Sequence, residues 1–236
     1  MEKKISFVIP SYNEKDSIPK QIEHIEKVLA ASKLKGEIII VDDNSPDGTI
    51  DVVKKLQKKF RNIRLFVREE KKGVGSAYLF GYKKAKGDVI LGIDADGSQS
   101  PEYTPEFLKK IDEGYDIVVG SRYIKGSYYE KTTKHEKTHY TLSRYGNIFA
   151  SFYLGVPIHD LTHSFRAIRR VVVNNVSTKS KGNSFFIEFL FRAERKGYKI
   201  GEIPVKFLKR KRGTTKINLR KDAINALMDL LKLRWS

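Results

Sequence analysis

Two carboxylates, Asp94 and Asp96, stand two residues apart in DADGSQSP (94–101), directly after the apolar run DVILGI (88–93). In an extended segment, residues i and i+2 face the same side, so both carboxylates would address one cation. Hard oxygen ligands in an open site suit Mg²⁺ or Mn²⁺ holding a diphosphate. The plainer alternative is an acidic pair that ends a strand and caps the turn before a Ser/Pro helix start. Its place behind the fourth apolar run favours the cation. A second acidic cluster, VDDNSPDGT (41–49), follows the run EIIIV (37–41). An ionised carboxylate only accepts hydrogen bonds, and at a strand end it can take them from ribose hydroxyls or base N–H groups. Asp43 is the expected nucleotide contact and Asp42 has a structural alternative. Asp47 and Thr49 read as a turn and a helix cap. PSYNE (10–14) offers the Tyr12 ring as a stacking face and Glu14 as an acceptor. KKGVGSA (71–77) lacks the Lys that a Walker loop places after its last Gly, and reads as a glycine turn entering a helix.

These motifs need a frame that brings strand ends together. The runs ISFVI (5–9), EIIIV (37–41), IRLFV (63–67), DVILGI (88–93) and YDIVVG (115–120) are apolar on successive residues, the pattern of strands buried on both faces. Between the first two, Ile18, Ile22, Ile25 and Leu29 repeat at helical spacing behind Ser17 and Pro19; Ile50, Val53 and Leu56 do the same in the next interval. Strand–helix alternation predicts an α/β fold, a Rossmann-like, mostly parallel sheet with helices on both faces. Such sheets bind ligands at the carboxyl ends of their strands. The loops after Ile9, Val41, Val67, Ile93 and Gly120 are therefore where chemistry is expected.

The second half is less regular. Residues 121–137 are polar, basic and tyrosine-rich without periodicity, and read as a long loop, a lid or a disordered segment. A helix is expected from about His139 to Leu154, then a short FRAI segment, a helix near 184–197 and a strand KIGEIPVKF. His135, His159 and His163 read as surface or loop residues, and the phenylalanines of 185–191 as core. Asp160 is expected to cap or orient the FRAI segment, with a general-base role the weaker alternative.

The chain has 236 residues, no cysteine, and 46 Lys+Arg against 28 Asp+Glu, a net charge of +18. The length supports a large core, so no staple is needed. The absence of cysteine excludes a thiol nucleophile and a disulfide scaffold, and suits a reducing compartment. No apolar run approaches the ~18 residues of a membrane span, and the start MEKKISFVIPSYNE has no signal-peptide architecture. The charge fits nucleic acid, an anionic membrane or a phosphate-rich substrate, unless it serves surface stability. It is unevenly placed: from Pro204 to Ser236 ten basic residues face only Asp222 and Asp229.

Taken in order, the motifs resemble the family-two glycosyltransferases of GT-A fold, over nearly the whole chain and most closely in the polyprenyl-phosphate branch. The matching elements are Pro10–Glu14, Asp42–Thr49, Asp94–Asp96, Gly120–Tyr123 and RGTTK, with Arg212 and Lys216. The resemblance implies a GT-A catalytic domain over 1–217 and an amphipathic C-terminal helix over 218–236. It implies transfer of a hexose, mannose first, from a nucleotide-sugar such as GDP-mannose to dolichyl or polyprenyl phosphate with inversion, and Mg²⁺ or Mn²⁺ as cofactor. Donor contacts are implied at Pro10, Tyr12, Glu14, Val41 and Asp43, and at Asp94, Ala95, Asp96, Arg212 and Lys216. Asp94, Asp96 and Ser98 would hold the metal; Ser98 stands where many relatives have Gln, and Gln99 points elsewhere if the segment is extended. Asp94, Asp96 and Arg122 are the implied catalytic residues. Arg122, His139, Ser143 and Arg144 are the implied acceptor-phosphate contacts. Ser164 replaces a Gly common in this stretch.

A hydroxyl acceptor would need a general base, and neither a T-E-D-like nor a Q-x-x-R-W element is found; a phosphate acceptor is already an anion and needs positioning and charge relief. The alternatives are a UDP-glucose-dependent dolichyl-phosphate glucosyltransferase, a nucleotidyltransferase, and a basic nucleic-acid-binding module; nucleic acid is not the expected partner. The expected station is peripheral, on the cytoplasmic face of a membrane, with room for a separate membrane subunit. In the tail, Ile224, Leu227, Leu231 and Trp235 form one stripe beside Lys221, Lys232 and Arg234. Such a helix can lie in a bilayer interface or pack on the core.

Overall fold

The structure is a computed structural model describing residues 3–208 and 230–234. Five strands follow the apolar runs: β1 (Lys4–Ser11), β2 (Lys35–Asp42), β3 (Ile63–Val67), β4 (Val89–Gly92) and β5 (Ile117–Ser121). The helices between them are α1 (Ile18–Ala31), α2 (Thr49–Lys59), α3 (Val74–Lys84) and α4 (Thr104–Asp112). The later elements are a short strand β6 (Tyr128–Tyr129), α5 (Lys134–Leu154), β7 (Arg166–Arg169), α6 (Arg170–Asn175), α7 (Ser184–Arg195), β8 (Ile200–Pro204) and β9 (Lys206–Phe207). The main sheet has the order β3-β2-β1-β4-β7-β5-β8. All its pairings are parallel except those of β7, which runs antiparallel between β4 and β5.

Because alternate strand residues point to opposite faces, the apolar runs feed two cores. Phe7, Ile9, Ile38, Ile40, Leu91 and Val118 pack with α1, α2 and α4 on one face. Val8, Ile39, Val41, Ile90, Val119 and Ile168 pack with α3, α5, α6 and α7 on the other. This is the expected α/β architecture with both faces covered. The phenylalanines of α7 are core, as expected, with Phe185 and Phe189 fully buried.

The expected loop and the expected start of the helix after it are corrected. The loop read over 121–137 is shorter: β6 pairs with β9 in a small second sheet, and α5 starts at Lys134. A capping box fixes that start, with Thr133 accepting from the Glu136 N–H and Glu136 reaching back to the Thr133 N–H. The T-x-x-E spacing was visible in the sequence. The boundary at 217 and most of the tail helix lie outside the described residues. Within Leu230–Arg234, Leu230 is buried and Leu233 packs against the α7-side core, while Leu231 is 47% exposed.

At the end of β4, Gly92 lets two tyrosines of α3 close over the sheet: a Cβ there would come within 2.5 Å of the Tyr82 hydroxyl and 3.0 Å of the Tyr78 ring. Tyr78 and Tyr82 are both fully buried, so neither can swing aside. Gly92→Ala is expected to destabilise the chain by about 2 kcal/mol through overpacking, read as a lower urea midpoint. An unchanged midpoint would show that α3 shifts freely.

Candidate active site

The loops after β1 and β2 are stitched into one surface. Asp42 is fully buried and accepts from Ser11 Oγ (2.6 Å), Ser45 N (2.8 Å) and Ser45 Oγ (2.8 Å), so its role is structural. Ser45 Oγ accepts from Asn13 N at 2.9 Å and Thr49 Oγ1 from Glu14 N at 3.0 Å. Asp47, besides holding Thr49, accepts from Lys15 N at 3.1 Å. The residues read as turn and cap thus also anchor PSYNE. Tyr12 is 37% exposed, with Lys71 Nζ 4.4 Å from its ring centroid, and the Glu14 carboxylate accepts from Ser17 Oγ. Pro10 ends up half-buried beside them.

Asp43 does not stand open. It is 6% exposed and paired bidentately with Arg68, Nε to Oδ1 at 2.6 Å and Nη2 to Oδ2 at 2.8 Å, while Arg68 Nη1 donates to Ser76 Oγ at 2.7 Å. Arg68 is the first residue after β3, inside a loop singled out by its strand-end position, yet its pairing was not read from the sequence. The Val41 and Ala95 side chains lie in the two cores, so any donor contact at either comes from main-chain atoms.

The DAD segment is not extended. The strand ends at Gly92 and the chain turns through Gly97 at φ +75°. The turn carries Gln99 back onto Asp94: Asp94 N donates to Gln99 Oε1 (2.9 Å) and Gln99 Nε2 to Asp94 Oδ2 (2.8 Å). Asp94 Oδ2 also accepts from Ser164 Oγ at 3.0 Å, and Oδ1 from Tyr78 OH at 2.6 Å. Asp96 is 8% exposed and accepts from Ser98 N at 2.9 Å. Ser98 Oγ is buried without a hydrogen-bond partner. No cluster of three or more His, Cys, Asp or Glu suited to a metal occurs among the described residues. Two carboxylates and one orphaned hydroxyl, all hard oxygens, nonetheless fit Mg²⁺ or Mn²⁺ when a diphosphate completes the shell.

Arg122, behind β5, is no solvated loop residue. Its Nε and Nη2 each reach the fully buried Asp160 at 2.8 Å, and Nη2 also reaches Thr162 Oγ1 at 2.9 Å. Its guanidinium lies over the Tyr123 and Phe207 rings at 5.2 and 5.7 Å. Burial pushes the Asp160 carboxyl upward, but the Arg122 charge and hydrogen bonds outweigh it and hold the group down at about 2. Asp160 therefore orients Arg122, rather than the FRAI segment. Glu202 accepts from the backbone N–H of His159 and Asp160, and Asn147 Oδ1 from that of Leu161 at 2.8 Å, fixing this loop from two sides.

Of the residues expected at the acceptor phosphate, Ser143 faces inward from α5 and accepts from Tyr123 OH at 2.7 Å. His139 lies one turn before it, half-buried. Arg144 is exposed and a 100° step round the helix from Ser143, so the structure does not group it with Ser143. Arg212 and Lys216 lie outside the described residues.

His163, expected at the surface, is 3% exposed. Its Nδ1 lies against the Gly120 carbonyl and its Nε2 is 3.4 Å from Gln99 Nε2. That arrangement places the proton on Nδ1 and leaves Nε2 to accept. Burial, with the Arg122 charge adding to it, pushes its pKa down to about 3, so the ring is neutral at pH 7. Arg166 is fully buried and donates to the carbonyls of His163, Leu161 and Phe186. Burial lowers its pKa only to about 10, so it stays charged.

A mostly parallel sheet with one reversed strand and helices on both faces is the architecture of the GT-A glycosyltransferases. Its likeness to solved structures is extensive. Glucosyl-3-phosphoglycerate synthase from Mycobacterium tuberculosis, in complex with Mn²⁺, UDP and glucosyl-3-phosphoglycerate, superposes with a TM-score of 0.75 at 20% identity, over 99% of this chain and 80% of that one. Mannosyl-3-phosphoglycerate synthase from Rubrobacter xylanophilus gives 0.73 at 18% identity, over 98% and 74%. The chain belongs to glycosyl transferase family 2, whose model matches residues 6–177. Among curated relatives, polyprenol monophosphomannose synthase of Mycolicibacterium smegmatis is 33% identical over 89% of this chain and 80% of its own length. Dolichol-phosphate mannosyltransferase of Pyrococcus furiosus is 34% identical over 91% of this chain and 59% of its own length.

The neutral, buried His163 makes stability depend on pH. Its folded pKa of about 3 lies below the unfolded value of ~6.5, so its contribution is fully present above pH 6.5 and is lost as pH falls toward 3. The urea midpoint is expected to drop by about 1 M between pH 6.5 and 4.5, with His163→Gln flattening that slope. A wild-type midpoint constant over this window would contradict a neutral buried histidine.

Proposed function

We propose that the chain transfers mannose, with inversion, from GDP-mannose to dolichyl or polyprenyl phosphate at a membrane surface. The observation that carries the reading is the Arg122–Asp160 pair, in a chain whose curated relatives are polyprenol and dolichol phosphate mannose synthases. Asp160 is the fully buried carboxylate beside Arg122 at this end of the sheet, and a general-base role is its alternative reading. Held at about 2 by Arg122, it is far too weak for that work. An anionic phosphate acceptor needs no proton removed. One of its oxygens forms the new bond to the anomeric carbon from the face opposite the leaving group. The bond from that carbon to the nucleoside diphosphate breaks, and the diphosphate leaves with the electron pair. Arg122, held in place by Asp160 and Thr162, offers the acceptor pre-oriented N–H donors that cost no reorganisation on binding.

On the donor side, Tyr12 supplies an exposed ring face for the base, Asp43 with Arg68 a rigid polar edge beside it, and Asp94 and Asp96 the pair that would hold Mg²⁺ or Mn²⁺ with Ser98. When bound, the cation would neutralise charge on the leaving diphosphate. Arg212 and Lys216 are assigned the same charge relief from the tail. Incubation with labelled GDP-mannose, dolichyl phosphate and Mn²⁺ is expected to give a lipid-extractable mannosyl product, lost with chelator and reduced roughly 100-fold or more in Asp96→Ala. Product from UDP-glucose and none from GDP-mannose would overturn the sugar assignment. A fully active Asp96→Ala would overturn the metal role.

The membrane reading is supported by α5. Its inward face carries Ser143, Asn147, Ala150 and Leu154. Its outward face exposes Leu142 (58%), Tyr145 (68%), Ile148, Phe149 and Phe152 (88%) at spacings of three and four. Lys134, Lys137 and Arg144 are exposed on the same helix. An apolar stripe with flanking cations suits an anionic leaflet, and no helix among the described residues is long and apolar enough to span a bilayer. Phe152→Glu is expected to weaken co-sedimentation with anionic vesicles about ten-fold, without changing thermal stability. Unaltered sedimentation would place membrane contact elsewhere.

A further inference from the structure

Asp94 is a held carboxylate. Tyr78 OH fixes Oδ1 at 2.6 Å, and two donors converge on Oδ2, Gln99 Nε2 at 2.8 Å and Ser164 Oγ at 3.0 Å. Gln99 is itself 1% exposed and fully specified. Its Oε1 takes the Asp94 backbone N–H at 2.9 Å, so its amide cannot flip without setting an oxygen against the carboxylate. Its Nε2 also reaches Ser164 Oγ at 2.8 Å. Ser164, spending its own proton on Asp94, accepts that bond. The backbone carbonyl of Gln99 is held in turn by Gln21 Nε2 at 3.3 Å. A buried amide with this many directed bonds, gripping the side chain and backbone of one residue, fixes a rotamer rather than filling space.

We propose that Gln99 is a positioning residue for the transfer reaction. With Ser164 it sets the Asp94 carboxylate in the orientation that receives the divalent cation, an inference that rests on reading Asp94 and Asp96 as the cation-binding pair. The geometry follows from the turn at Gly97, which reverses the chain so that Gln99 acts on Asp94 from behind while Asp96 stays with Ser98. The same amide touches His163, which bonds the Gly120 carbonyl two residues before Arg122. One side chain thus sets the cation-side carboxylate and reaches, through His163, the strand end that leads to the acceptor-side arginine. Partners that orient a metal-bound carboxylate without touching the metal typically change its affinity 10–100-fold.

The test is a Mn²⁺ titration of the full chain at saturating GDP, followed by loss of the free-ion electron paramagnetic resonance signal against a GDP-only blank. Gln99→Ala is expected to raise the Mn²⁺ dissociation constant roughly ten-fold or more, and Ser164→Gly, which removes one donor, roughly three-fold. Transfer by Gln99→Ala is expected to recover substantially at saturating Mn²⁺, which a merely structural defect would not allow. A wild-type Mn²⁺ constant in folded Gln99→Ala overturns the proposal and leaves the metal reading intact. Absence of Mn²⁺ uptake by the wild-type chain overturns both. Should Gln99→Ala fail to fold, Ser164→Gly decides: an unchanged constant there overturns the proposal.

Discussion

The direction of one strand organises the site. In a purely parallel sheet, every strand delivers the loop that follows it to the carboxyl edge. β7 runs the other way, with Arg166 paired to Gly92 of β4 and Val119 of β5, so it delivers the loop that precedes it. Residues 159–165 thereby arrive between the ends of β4 and β5. From there Asp160 and Thr162 reach Arg122, Ser164 reaches Asp94, and His163 reaches Gly120. Without the reversal, the two halves of the site would have no common wall.

That wall is polar and buried, and so expensive unless every group is matched. Arg122 and Asp160 neutralise one another with paired hydrogen bonds. Breaking such a buried pair from one side typically costs 3–5 kcal/mol, more than the intact pair contributes. Arg166 solves a different problem. A fully buried guanidinium tied to three carbonyls organises backbone rather than side chains, pinning the loop to the start of α7. Loop carbonyls that would otherwise be buried without donors become the reason the loop has one shape.

Much of this was legible in the residues. The five β-branched runs became five strands because successive apolar residues have only one home in an α/β fold, between two helical layers. Their order put the acidic motifs at strand ends, and Asp94 and Asp96 were found there. What was not legible depended on partners far away in sequence. Gln99 could be placed only once the chain was seen to turn at Gly97, since an extended segment would aim it away. His163 read as a loop residue because nothing local shows that Gly120 and Gln99 surround it, 43 and 64 residues distant. Arg68 and Asn147 escaped for the same reason. Their partners Asp43 and Leu161 become neighbours only through sheet order and helix packing. The capping box at Thr133 was a purely local signal, and the start of α5 could have been read from it.

Helix α5 satisfies two requirements at once, and they set how this stretch of sequence can change. Asn147 must face the loop at Leu161 and Thr162, while Phe149 and Phe152 must face away from the fold. Each added or removed residue rotates everything beyond it by 100°. A single insertion between Asn147 and Phe152 would swing the exposed stripe toward the interior and turn Ala150 and Leu154 outward. The segment is therefore length-locked although its outer apolar stripe is exposed among the described residues. Family members should vary freely in which apolar residues they place on that outer face, and very little in how many residues separate it from the asparagine.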